Sequence, residues 1–149
     1  MDASLPLTVL VHLAAPAAPS HEYLLLRRTP DRGGYWLGAS GAVRAGEALD
    51  EAAVRVLAEQ TRLTPIRLIP AEFHHTIRAK RRSRPTSVEH VFLALMSAKV
   101  DPTINPAEDD AWDWYSFDEA VVWLRRPESV EALRRCEKLF APTASAEGG

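Results

Sequence analysis

The chain has 149 residues, of which 46% are hydrophobic and 26% charged, a composition that suits one soluble domain around a single core. A formal net charge of −2 excludes a whole-surface attraction to nucleic acid or anionic lipid. Cys136 is the only cysteine, so no intrachain disulfide can form, and a reducing cytoplasm is the expected compartment.

The first residues, 1–19, are apolar and rich in alanine. They carry Asp2, lack a basic start and place His12 within the apolar run, features that disfavour an export signal. No run approaches the roughly 18 apolar residues that span a bilayer, so no membrane partner is expected. Leu7 to Ala14 reads instead as a buried strand, broken by Pro16 to Ser20. Tyr23 to Arg28 is a second short strand, followed by the turn-rich Thr29 to Gly34. Leu49 to Arg62 is a helix whose start is acidic at Glu47, Asp50 and Glu51, which favours the helix dipole, and Thr64-Pro65 ends it. Arg67 to Ile77 is extended, with Pro70 marking an edge or a bulge. Arg78 to Pro85 is a basic loop, Val88 to Met96 a strong strand and Trp112 to Tyr115 the last strand. Ser116-Phe-Asp-Glu119 is a capping box that opens a helix to Arg125, and Glu128 to Phe140 is the final helix. Residues 1–140 then form one domain, and 141–149 a small, polar and disordered tail. Irregular alternation of strands with three helices predicts an α+β protein, an α/β/α sandwich with helices on both faces of a mixed sheet.

Between residues 41 and 63 a fixed pattern appears. Gly41, Glu47, Arg55, Leu57, Glu59 and Leu63 match the spacing of the Nudix box, and the segment resembles that family. Val56, Gln60 and Arg62 depart from it, since the family has Glu, Glu and Gly there. The resemblance implies the Nudix fold and the hydrolysis of a diphosphate linked to another moiety. It also implies Mg2+ (or Mn2+), which shields the polyanion and acidifies water. Such a hard cation takes oxygen ligands, and the resemblance assigns them to Glu59, Glu89, Glu47 and, through its carbonyl oxygen, Gln60. Arg55 orients the glutamates, and Gly41 lets the backbone approach metal and phosphates. Arg55, Glu59 and Glu89 are the implied catalytic residues.

At about 100° per residue, Leu49, Ala53, Val56, Leu57, Gln60 and Leu63 share an arc of roughly 120°, while Glu51, Arg55 and Glu59 form a stripe beside it. Read without the resemblance, that stripe is a solvated salt-bridge face and Val56 widens the core.

The chain also resembles the bacterial dihydroneopterin triphosphate pyrophosphohydrolases, in Leu26-Arg27-Arg28 before the loop, Tyr35-Trp36 before the box, Glu89 to Phe92 after a basic loop, and Trp114. That kinship implies substrate contacts from Arg27, Arg28, Trp36 and Gly41, with Arg81 and Arg82 of the basic loop gripping phosphate through their forks. The implied partner is a small nucleoside or pterin triphosphate, cleaved to monophosphate and pyrophosphate. No aromatic residue interleaves the basic loop, which argues against a nucleic-acid partner. His74-His75 lacks a third ligand at a metal-binding spacing. A monomer and a homodimer both stay open. Two functions compete: a weakly active Nudix pyrophosphohydrolase, favoured by Gly41, Arg55 and Glu59, and an inactive Nudix module binding nucleotide or RNA, favoured by Val56 and Gln60.

Overall fold

A computed structural model describes residues 5–78 and 85–140. Seven strands and three helices follow in the order β1 (Leu7–Ala17), β2 (Ser20–Arg28), β3 (Trp36–Leu37), β4 (Ala39–Ala42), α1 (Leu49–Thr61), β5 (Arg67–Arg78), β6 (Pro85–Leu95), β7 (Asp109–Tyr115), α2 (Phe117–Leu124) and α3 (Pro127–Lys138). The strands form one sheet with the path β3-β2-β1-β6-β5, to which β4 adds through β1 and β7 through β2. β1 and β6 run parallel and the other pairs antiparallel, so the sheet is mixed as expected.

Two apolar layers sandwich the sheet. On one face, Val9, Val11, Leu24, Leu26, Phe92 and Ala94 pack against Ala53, Val56 and Leu57 of α1. On the other, Leu10, Tyr23, Leu25, Val91 and Leu93 pack against Leu124 of α2 and Leu133 and Cys136 of α3. The predicted arc of α1 is the buried one.

β1 differs from its expectation, since it runs through Pro16 to Ala17. Its pairing with β6 ends at Ala14, so the N–H that Pro16 lacks is missed by no neighbour on that side. Pro70 does mark a bulge: the β5–β6 register shifts between Pro70 and His74, where Glu72 takes a left-handed φ of 56°. The Ser116 box caps α2, Ser116 Oγ accepting from Glu119 N and Glu119 Oε1 from Ser116 N. Among the described residues no helix is long and apolar enough to cross a membrane.

Candidate functional site

The loop from β4 into α1 is built around Arg55. Its Nε donates to Glu47 Oε2 at 2.7 Å and Nη2 to Glu47 Oε1 at 2.9 Å, a bidentate fork. Nη2 also reaches Ala42 O at 2.8 Å, and Nη1 reaches Glu59 Oε1 at 3.0 Å. Arg55, helped by the Arg44 amide, holds the Glu47 carboxyl down to about 2. Glu51 is not part of this cluster: its carboxylate accepts from Ala48 N at the helix start. Glu59 is exposed and tethered by Arg44 and Arg55.

The divergent positions have structural work. Val56 is 2% exposed, and its Cγ2 lies 3.0 Å from where a Cβ at residue 41 would stand, so Gly41 lets β4 pack closely on Val56. Gln60, expected as a metal ligand, is 9% exposed and directed at Ser40. Its Oε1 accepts from Ser40 N at 3.1 Å and its Nε2 donates to Ser40 O at 2.6 Å. Both ends of the amide are engaged with the backbone of β4. Arg62 adopts a left-handed φ of 63° and closes α1 where the family has glycine.

Glu89 lies on the opposite face. Along β6, Phe92 and Ala94 pack towards α1, while Val91 and Leu93 pack towards α2 and α3. The β1–β6 register is unbroken from Val88 to Leu95, so Glu89 points with Val91 to the α3 side. Glu59, on α1, does not line the space that Glu89 shares with Ser40, Gly41 and Ala42 of β4. Glu89, 7% exposed, instead meets His75 across β5–β6, Oε1 to Nε2 at 2.9 Å. That hydrogen bond is the main cause raising the His75 pKa.

A cavity of about 320 Å³ opens on this face. Thr8, Glu89 and His75 belong to its sheet wall, with Gly41 and Ala42 of β4 beside them. Tyr35, Arg32 and the start of α3, including Arg126, Glu128 and Ser129, complete it. Arg126 stands 4.6 Å over the Tyr35 ring. Tyr35, His75 and Arg126 were not among the expected site residues; the β5–β6 cross-strand register would have paired His75 with Glu89.

The other expected substrate contacts lie elsewhere. Arg28 is 4% exposed, donating to Asp109 Oδ1 at 2.6 Å, Ser40 Oγ at 2.8 Å and Gly38 O at 3.3 Å. A guanidinium so enclosed ties β2 to β7 and to β4. Arg27 pairs with Asp110 and lies 5.8 Å from the Trp36 ring. Trp36 packs with Tyr115 and Trp123, away from the cavity lining. Arg81 and Arg82 lie outside the described residues.

Residues 8–136 match the family described as NUDIX domain, and the chain belongs to that family. An octanoyltransferase of Myxococcus xanthus is 32% identical over 137 residues, covering 91% of this chain and 38% of that protein. The chain thus spans about two fifths of the length of that relative. Among solved structures, the Caenorhabditis elegans Ap4A hydrolase in a binary complex superposes with a TM-score of 0.76 at 22% identity, over 93% of this chain and 99% of that one. The Escherichia coli dihydroneopterin triphosphate pyrophosphohydrolase gives 0.72 at 18%, over 89% and 97%. At these identities the likeness shows the fold, not the subfamily.

Nudix hydrolases use divalent metals such as Mg2+, and the donor set tests whether this chain fits one. Among the described residues no group of three or more His, Cys, Asp or Glu side chains is placed to hold a metal ion. Glu47 is held by Arg55 and the Arg44 amide, Gln60 by Ser40, Val56 offers no donor, and Glu89 is paired with His75. The residues present do not fit the family's glutamate cage.

Proposed function

We propose that this Nudix domain binds a phosphorylated nucleoside or pterin in the cavity between β4, β6, β5 and the start of α3, and hydrolyses it weakly or not at all. The observation that carries this reading is the Gln60–Ser40 clamp. It turns a position where the family has a metal-binding carboxylate into a fastening between α1 and β4. The cavity keeps what binding requires: an aromatic ring at Tyr35, guanidiniums at Arg32 and Arg126, and backbone of the Nudix loop at Gly41 and Ala42. The nucleotide and pterin polyphosphates named for the hydrolases of like fold support the ligand class. Residual turnover is favoured by the exposed Glu59 on its Arg55 tether. The activity named for the octanoyltransferase is not carried over, because this chain spans only 38% of that protein.

The test is a panel of nucleoside and pterin di- and triphosphates, scored by calorimetry for binding and by pyrophosphate release with Mg2+ or Mn2+. Saturable binding of one class with little release supports the proposal. Absence of binding across the panel overturns it.

A further inference from the structure

The His75–Glu89 pair does more than close one end of a cavity. The two residues are direct partners across β5 and β6, their side chains are largely buried, and both line the same space as Tyr35. A carboxylate is an acceptor only. Glu89 Oε1 meets His75, and Oε2 has no partner among the described residues. An anionic acceptor held at a fixed angle in a small cavity calls for coplanar N–H donors on the ligand.

We propose that Glu89, aimed by His75, is the specificity-determining residue of the binding site, and that it selects rings presenting two adjacent N–H donors. A 2-amino-4-oxo-pyrimidine edge, as in guanine, has this form. Adenine sets an acceptor beside its amino group, which would face the carboxylate and be repelled. Hypoxanthine keeps the ring N–H and loses the exocyclic amine, so it ranks between the two. Arg32 and Arg126 supply positive charge for the phosphates in the same cavity, against the carboxylates of Glu89 and Glu128. The inference rests on the binding function proposed above and adds its selectivity. It also gives Glu89 a role on the face where the structure puts it, away from the metal-box helix α1.

Titration calorimetry with GDP, IDP and ADP on the intact chain tests it. The expected order is GDP, then IDP, then ADP, with GDP favoured over ADP on the order of 5- to 150-fold, the worth of one good bidentate base contact. Glu89→Gln exchanges one acceptor for a donor and matches the donor–acceptor edge of adenine. It should abolish the preference for GDP or reverse it, whereas a purely structural role for Glu89 would weaken all three ligands together. If Glu89→Gln does not fold, judged by circular dichroism, the ranking of the three ligands on the natural chain decides alone. Equal binding of all three overturns this inference and leaves the binding function standing. Binding of none of the three overturns this inference, and the full panel of nucleoside and pterin phosphates then decides the binding function.

Discussion

Gln60 holds Ser40 by both of its backbone polar groups, so a side chain of α1 acts as an extra rung on β4. The amide is well suited to this, because it is donor and acceptor at once. Gln60→Glu keeps the shape, loses the donor and sets a carboxylate against the Ser40 carbonyl. The expected loss is about 2 kcal/mol of stability, read as a lower midpoint in urea. Mg2+ should not restore it. A Mg2+-dependent recovery of the midpoint would show that the new carboxylate turns outward to a metal.

Arg62 offers the opposite experiment. It is exposed, and it holds a left-handed φ of 63° at the end of α1. Glycine has no Cβ to strain there, so Arg62→Gly should stabilise the chain by about 1 kcal/mol, seen as a raised melting temperature. A fall would mean that the Arg62 side chain makes a contact worth more than the strain.

How far the sequence reveals this site depends on the kind of residue. The apolar arc of α1 was legible because one helix face meets the core and the periodicity records it. The Ser116 box was legible because capping is local. The face of Glu89 was not, since β6 is covered on both sides and Val91 to Ala94 are apolar without alternation, leaving nothing in the pattern to say which way an odd residue points. Gln60 sits on the predicted buried arc, but only the placement of β4 shows that its amide is spent on Ser40. Arg28 reads as a substrate contact beside Arg27, and only the placement of β7 shows that Asp109 stands against it.

The Arg28–Asp109 pair is itself a test. Both side chains are nearly inaccessible, and their contact is 2.6 Å. Removing one partner leaves a buried charge unpaired, so Asp109→Ala should cost about 3–5 kcal/mol. Replacing Arg28 and Asp109 together by apolar residues of similar volume should be much milder. Chemical denaturation of the three chains measures the difference. Equal losses for the single and the double variant would show that the hydrogen bonds from Arg28 to Ser40 and Gly38 carry the stability instead.

His12 predicts a pH dependence. It is fully buried on β1 with neither ring nitrogen partnered among the described residues, and burial lowers its pKa to about 4. The folded pKa lies below the unfolded value of 6.5. The unfolded chain therefore takes up the proton first, and stability falls as pH drops from about 6.5 to about 4. The loss attributable to this group is about 3 kcal/mol. His12→Leu removes the titration and should flatten that part of the stability–pH curve, while stability at pH 7 holds or rises because no buried N–H is left unpaired. An unchanged acid limb would assign the dependence to other groups.

The central claim is that binding has outlasted catalysis in this Nudix domain, and one assay addresses it directly. Pyrophosphate release by the natural chain is followed with Mg2+ or Mn2+ at saturating nucleoside or pterin triphosphate, alongside calorimetric binding on the same preparation. Ordinary enzymes turn over at roughly 1–10³ per second, and loss of a positioned acid or base typically removes about 10²–10⁴ of that. The account predicts saturable binding with turnover lowered by at least this factor. Turnover in the ordinary range, dependent on divalent metal, would contradict it.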